Sequence, residues 1–121
     1  SEVVNNMHDL GGTLKRIPDI KLGPDLNWLL RAEVDPIEFL KKHQEQICFL
    51  HLRDQYADGR WSEALGEGDV DFGEIGDTLR NIEFSGDVMI ELAFENGFEP
   101  SRPVKESLKM SREYLKSTAG I

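Results

Sequence analysis

Cysteine is almost absent from this chain, which has only Cys48 among its 121 residues. A single cysteine excludes a disulfide within one chain and excludes the cysteine-rich kind of zinc site. Cys48 lies inside the apolar run "ICFLHL" at 47–52. We therefore expect it to be a small core residue of a protein from a reducing, cytoplasmic compartment.

Long apolar runs and positive charge are also scarce. No stretch approaches the roughly 20 apolar residues that cross a bilayer, and the first residues lack the charged-then-apolar pattern of a signal peptide. The 14 basic and 23 acidic residues give a net charge of −9, which repels a phosphate backbone or an anionic membrane. We expect neither nucleic acid nor membrane as a partner.

Apolar residues make up 39% of the 121 residues, enough for one core. No linker, low-complexity segment or internal repeat divides the chain, so we assign residues 1–121 to a single domain. Short strand-like runs alternate with helical patterns, which predicts βαβ units around a parallel sheet. The predicted strands are 2–6, 19–23, 46–52 and 87–92.

Several helices carry start signals. Asp9 is predicted to cap a weak helix over 10–17, and Asp35 followed by Pro36 begins another after a helical stretch at 26–32. For the last helix, the pattern predicts one buried stripe formed by Val104, Leu108, Ser111 and Leu115.

The two strongest strands have unequal faces, because successive side chains point to opposite sides. One face of each strand is apolar and suits packing against helices. The other face becomes polar only near the carboxyl end, with His51 and Arg53 on the third strand and Glu91 on the fourth. This pattern is typical of a (βα) barrel, whose functional groups lie at the carboxyl ends of its strands.

The length fits only part of such a barrel. Eight βα units need about 250 residues and at least about 200, whereas four units are present here. We predict an α/β fold that forms half of a (βα)8 TIM barrel, with a doubly wound open sheet as the alternative. An open half exposes strand edges and an apolar inner face, so we expect two copies to close into a homodimer.

Asp25, His51 and Glu91 each lie at the end of a different predicted strand. A barrel would bring them together at one rim, where nitrogen and oxygen donors suit Mn²⁺, Zn²⁺, Fe²⁺ or Co²⁺ and leave positions open for a carbohydrate. Simpler alternatives stay open. Asp25 would cap the helix that begins at Leu26, His51 would be a core histidine, and Glu91 would pair with Arg53.

Two further side chains are candidates for substrate contacts. The guanidinium of Arg53 can bind a phosphate or a pair of hydroxyls, although a salt bridge to Asp54 or Glu91 would also explain it. Trp61 lies in the loop at 56–68, where it would either wall a sugar or hold the loop in place.

Four segments together resemble the sugar phosphate isomerase/epimerase family, the xylose-isomerase-like TIM barrels. The resemblance covers roughly residues 20–118 and corresponds to the C-terminal half of the family barrel. The segments are "LGPDLNWLLRAEVDPIEFLKKH", "FLHLRDQ", "ALGEGDVDFGEIGDTLRNIEFSGDVMIEL" and "RPVKESLKMSREYLK".

The resemblance implies a divalent-metal site. The family binds its metal through an Asp after the sixth strand, a His on the seventh and a Glu on the eighth, which match Asp25, His51 and Glu91. Asn5 stands nearest to the family's first ligand, a Glu, and Trp28 replaces a histidine that helps to hold substrate. His8 or Asp9 would have to substitute for that missing Glu.

The implied activity is isomerisation or epimerisation of a small carbohydrate. The metal holds two neighbouring substrate oxygens while a carboxylate removes a proton alpha to the carbonyl. Glu91 would serve as ligand and base, with Arg53, Trp28 and Trp61 against the substrate. The alternative is a non-catalytic half-barrel that acts as a folding and association module. Endonuclease-IV-like cleavage is disfavoured, because the chain has three histidines and a charge of −9.

Overall fold

The computed structural model describes residues 8–121, and the predicted first strand at 2–6 lies outside them, as does Asn5. Within this range, none of the helices has the length and apolar character to cross a bilayer. The elements follow in the order α1 (His8–Arg16), α2 (Leu26–Arg31), α3 (Pro36–Lys42), β1 (Phe49–Leu52), α4 (Phe72–Asn81), β2 (Asp87–Ile90) and α5 (Val104–Thr118).

Strands β1 and β2 pair in parallel, with Phe49 opposite Asp87 and Leu52 opposite Ile90. The segment predicted as a strand at 19–23 forms only isolated parallel bridges, from Leu22 to Ile47 and from Asp25 to His51. The ladder between these bridges is interrupted because Pro24 has no N–H to donate. Three neighbouring segments thus run parallel in chain order, as they do in part of a barrel.

The buried core lies on one face of this small sheet. On β1, Leu50 and Leu52 are fully buried, whereas Met89 on the opposite face of β2 is 42% exposed. A mixed α/β chain with one covered face fits part of a barrel better than the doubly wound alternative, which needs helices on both faces. The core comprises Leu26, Ile37, Phe39, Leu40, Ile47, Leu50, Leu52, Leu65, Phe72, Ile75, Leu79, Leu115 and Ala119.

Helix starts follow local capping chemistry where the cap precedes the helix. The Asp35 carboxylate accepts hydrogen bonds from the backbone N–H of Ile37 and Glu38, and Pro36 is the first helical residue, as predicted. The prediction for Asp9 is wrong, since α1 already includes His8 and Asp9 lies inside the helix rather than before it. A capping residue must stand outside the helical turn that it closes.

The predicted stripe on α5 is correct at Ser111 and Leu115 but wrong at Val104 and Leu108. Val104 and Leu108 are 45% and 40% exposed, and the buried face is formed by Ser107, Ser111 and Leu115. Ser111 Oγ donates to the carbonyl of Ser107 at 2.7 Å and accepts from the N–H of Leu65 at 3.0 Å. The small hydroxyl side chains let α5 approach the loop at 56–68 closely. That contact fixes the rotation of the helix.

Cys48 is exposed rather than part of the core. It precedes β1 at the amino end of the strand, and its sulfur lies 3.5 Å from the carbonyl oxygen of Leu22. The apolar run "ICFLHL" therefore does not mark one continuous buried strand. Its buried positions are those that alternate onto the helix-covered face within β1.

Candidate metal and substrate site

Asp25 uses its two carboxylate oxygens differently. Oδ1 accepts a hydrogen bond from the N–H of Asn27 at 2.9 Å and so caps α2. Oδ2 is buried and has no hydrogen bond. The capping alternative is therefore correct, but it uses only one oxygen and leaves the second free to act as a ligand.

His51 and Glu91 meet across the two strands. Glu91 follows β2 directly, and its N–H donates to the carbonyl of Leu52 at 3.0 Å, which continues the parallel ladder. The Nδ1 atom of His51 lies 2.6 Å from Oε2 of Glu91, and the two side chains are 31% and 37% exposed. His51 is consequently not a core histidine, since its ring faces a carboxylate on the open side of the sheet.

The three predicted ligands converge. Asp25, His51 and Glu91 each offer a donor atom, and these atoms lie within 4.8 Å of one another. They come from three adjacent parallel segments, at the carboxyl ends where barrel proteins place their functional groups. An imidazole nitrogen with two carboxylates is a donor set that suits a divalent transition metal.

Arg53 lies beside both carboxylates and is only 9% exposed. Its Nη2 contacts Oε1 of Glu91, and its Nε lies 2.9 Å from Oδ2 of Asp25. The N–H of Nε is not directed at Oδ2, so neither of these two buried atoms makes a hydrogen bond. Of the pairings left open by the sequence, the structure has the one with Glu91 and not the one with Asp54.

Burial is the main influence on the charge of Asp25. It raises the pKa of the carboxyl above its ordinary value, and the nearby negative charge of Glu91 acts in the same direction. Arg53 and the backbone N–H groups of Asn27 and Trp28 lower the pKa but do not offset burial. A divalent cation bound at Oδ2 would stabilise the charged form, so a buried oxygen that accepts no hydrogen bond fits a metal ligand.

Trp28 and Trp61 form an aromatic pair next to this cluster. Their rings meet edge to face with centroids 5.8 Å apart, and the Arg53 guanidinium carbon lies 5.8 Å and 5.0 Å from the two ring centres. Trp28 is 45% exposed. The two tryptophans predicted to contact substrate are thus adjacent to the predicted ligands, at the mouth of the site.

Arg31 is a site residue that sequence reasoning missed. Its guanidinium carbon lies 3.6 Å from the centre of the Trp61 ring and 5.2 Å from that of Trp28. It also donates to Oε1 of Gln55 at 3.0 Å and to the carbonyl of Gly59, which fixes the loop to α2. Burial lowers the pKa of Arg31. The available signal was the three-residue spacing from Trp28 on one helix.

Asp54 organises the loop that carries Trp61. It is 2% exposed, and its carboxylate accepts from the N–H of Gly66 at 2.8 Å, Gly68 at 2.9 Å and Val70 at 3.2 Å. Gly66 has φ +91°, and a Cβ on Gly68 would lie 2.4 Å from Oδ1 of Asp54. Both glycines are therefore needed for the backbone to approach this buried carboxylate.

Comparisons with known proteins identify fold relatives. Neither a family model nor a curated protein matches the chain. A sugar phosphate isomerase/epimerase from Parabacteroides distasonis ATCC 8503 aligns with TM-score 0.61 and 23% identity over 78% of this chain and 30% of that one. A second sugar phosphate isomerase/epimerase from this organism aligns with TM-score 0.63 and 21% identity over 80% and 30%.

A structure of L-ribulose 3-epimerase aligns with TM-score 0.71 and 19% identity over 91% of this chain and 41% of that one. The chain therefore spans between 30% and 41% of the length of these three structures. At this level of identity the likeness establishes the fold. The resemblance predicted from the sequence is thus confirmed at that level, and the chain has the fold of part of a sugar phosphate isomerase/epimerase.

Proposed function

We propose that this chain belongs to a divalent-metal-dependent isomerase or epimerase that acts on a small carbohydrate. The observation that carries the proposal is the convergence of donor atoms from Asp25, His51 and Glu91 within 4.8 Å, at the carboxyl ends of adjacent parallel segments. Neighbours described as sugar phosphate isomerase/epimerase and L-ribulose 3-epimerase support the reaction class. Mn²⁺ is our first choice of metal, with Zn²⁺, Co²⁺ and Fe²⁺ as alternatives.

The metal, when bound, would polarise the substrate carbonyl and acidify the adjacent C–H. Glu91 is our candidate base, because its carboxylate is 37% exposed and contacts both His51 and Arg53. Nδ1 of His51, 2.6 Å from Oε2 of Glu91, would donate to this carboxylate and hold it in position. Trp28 and Trp61 would cover the apolar face of the sugar ring and exclude water from it.

Two histidine variants of the metal-stripped chain test the site. Calorimetric titration with Mn²⁺ should give micromolar binding that His51→Ala abolishes while the thermal unfolding midpoint changes little. His43→Ala is the matched control, because His43 is 7% exposed and packs on Phe39. It should lower the midpoint and leave Mn²⁺ affinity unchanged. Binding that survives in His51→Ala would reject the site.

Catalysis has its own test. Ketoses incubated with the Mn²⁺-loaded chain in heavy water should gain deuterium alpha to the carbonyl, and Glu91→Gln should abolish the exchange. Retained exchange in this variant would remove Glu91 as the base. The same spectra would show which ketose is the substrate.

A non-catalytic association module is the second candidate. The chain spans less than half of its structural neighbours, and Met89 is 42% exposed on the face that a complete barrel encloses. We propose that two copies close over this face as a homodimer, in the cytoplasm, where the exposed thiol of Cys48 would persist. Sedimentation equilibrium tests this: a stable monomer at micromolar concentration excludes the homodimer. Assembly without Mn²⁺ binding would favour the module over the enzyme.

A further inference from the structure

Arg53 already supplies a positive charge to both carboxylates of the candidate metal site. Its guanidinium contacts Glu91 through Nη2 and lies 2.9 Å from Asp25 through Nε. The side chain is only 9% exposed. The two acidic side chains are thus neutralised in part by a cation of this chain itself.

Arg53 and a bound metal ion would compete most directly for Asp25. Oδ1 is used by the cap of α2, where it accepts from the N–H of Asn27 at 2.9 Å. Oδ2 is therefore the remaining oxygen for a metal ion, and it is also the atom beside Nε of Arg53. A ligand oxygen lies about 2.0–2.2 Å from a zinc ion, so an ion on Oδ2 would stand within a few ångströms of the guanidinium. Two cations at that separation repel each other strongly in a partly buried site.

The guanidinium donates a hydrogen bond to Oε1 of Glu91 through Nη2, but its contact with Asp25 is weaker. Nε makes no hydrogen bond despite its burial, so the contact with Asp25 is one of charge alone and lacks the forked geometry that makes arginine–carboxylate pairs strong. The rings of Trp61 and Trp28 lie 5.0 Å and 5.8 Å from the guanidinium carbon. A displacement of Arg53 would consequently change the surroundings of both tryptophans.

We propose that Arg53 is the resident cation of this site and that a divalent ion binds by displacing its guanidinium from Asp25 and Glu91. The inference rests on the metal site of the proposed function and adds a competitor to it. Metal binding therefore changes the surroundings of the Trp28–Trp61 pair, because the same guanidinium lies beside the carboxylates and beside both rings. Its released N–H groups become available to substrate oxygens only when the metal is present.

The experiment compares Mn²⁺ binding by the full chain with binding by Arg53→Met, using calorimetry for affinity and near-ultraviolet circular dichroism for the tryptophans. Arg53→Met should bind Mn²⁺ at least about tenfold more tightly, equivalent to about 1.4 kcal/mol. The tryptophan spectrum of the unmodified chain should change on Mn²⁺ addition, and that change should be lost in the variant. Arg53→Lys, which keeps the charge without the fork, should have intermediate affinity and covers the case in which Arg53→Met does not fold.

Arg60→Met is the matched control, since it removes an exposed guanidinium that pairs with Asp58, and no contact of Arg60 with Asp25 or Glu91 is among the described ion pairs and hydrogen bonds. It should leave Mn²⁺ affinity unchanged and keep the spectral response. Equal or weaker affinity in both Arg53 variants overturns the proposal, even if the metal site itself is real. Binding by Arg53→Met but not by the unmodified chain supports the proposal and counts against metal-dependent function. Absence of binding in every variant overturns both.

Discussion

At the scale of single residues, carboxylates in and beside the site accept hydrogen bonds from backbone N–H groups as well as pairing with positive charges. Asp25 caps α2 with one oxygen and presents the other to the cluster. Asp54 follows Arg53 in the chain but is not a candidate ligand, because its oxygens accept hydrogen bonds from backbone N–H groups of the loop. The motif "HLRD" at 51–54 thus combines one ligand candidate, one cation and one structural carboxylate.

Asp54→Asn tests the structural role. The amide replaces an acceptor oxygen with an N–H₂ donor that would face the N–H groups of Gly66 and Gly68 or that of Val70. We expect a loss of about 2 to 3 kcal/mol in the free energy of unfolding, since hydrogen bonds to a charged, buried group are broken. Urea denaturation measures it. Asp58→Asn, at an exposed turn of the same loop, should leave stability nearly unchanged.

Sequence reasoning identified the ligand candidates and left Glu91 open as a partner of Arg53, but it did not predict the contact of Arg53 with Asp25 or the contacts of Arg31. Asp25, His51 and Glu91 could be predicted because the ends of parallel strands meet at one edge, whatever the details of packing. The Arg53–Asp25 contact and the position of Arg31 could not, since a long side chain selects among several carboxylates and rings only once the backbone has placed them. The contact of Arg53 with both acidic ligands is therefore visible only in the structure.

At the scale of elements, local signals predicted the start of α3 but not that of α1, and they did not predict that Val104 and Leu108 of α5 are exposed. The Asp35-Pro36 cap acts within one turn and could be predicted from the sequence. The face of α5 could not, because hydrogen bonds of Ser107 and Ser111 with the preceding turn and loop set it. An apolar stripe is a weaker guide where a helix packs closely through small polar side chains.

Ser111→Val and Leu108→Ala separate the two faces of α5. The valine leaves the N–H of Leu65 without its acceptor in a buried position, so we expect a loss of about 1 to 3 kcal/mol. Leu108 is 40% exposed, and its truncation should cost less than about 1 kcal/mol. Chemical denaturation at two protein concentrations gives both values. A larger cost for Leu108→Ala that grows with concentration would mean that another surface covers this side.

Glu63, in the loop at 56–68, accepts hydrogen bonds from Ser101 just before α5 and gives the fold a pH dependence. The backbone N–H of Ser101 lowers the pKa of Glu63 below its ordinary value, with smaller contributions from the Ser101 hydroxyl and Arg102. The folded state therefore binds this proton less readily than the unfolded state. The stabilisation from Glu63 is complete above the pKa of glutamate in the unfolded chain, about 4.3. It is lost as the pH falls through the lower pKa that Glu63 has in the folded chain.

Glu63→Gln tests that linkage. The variant should be less stable than the unmodified chain at neutral pH, and the difference should shrink as the solution is acidified below the ordinary pKa of glutamate. Thermal unfolding across the acid range measures the midpoints. Glu99→Gln, a nearby exposed glutamate, provides the comparison. If the midpoints of the unmodified chain and Glu63→Gln fall in parallel as the pH is lowered, Glu63 does not contribute to the pH dependence of stability.

At the scale of the whole molecule, one face of the sheet is covered by helices and the other is open among the described residues. Helices cover Leu50 and Leu52 on one side, while Phe49 and His51 are only partly buried on the other and Met89 is 42% exposed. The chain also corresponds to less than half of the structures that share its fold. The predicted half-barrel accounts for both observations, because an apolar inner face and free strand edges favour closure by another half.

Met89→Glu is our test of closure by a second copy. A glutamate at position 89, opposite His51 in the ladder, would lose its hydration in a closed dimer and so disfavour it, but would remain solvated in a monomer. We therefore expect sedimentation equilibrium to show a dimer for the unmodified chain and a monomer for Met89→Glu, with matching circular dichroism. Met110→Glu is the control, since Met110 is 38% exposed on α5 and lies outside the open face. Dimers in both variants would place the interface elsewhere, and monomers in all three would mean that the open face needs a different half of the barrel.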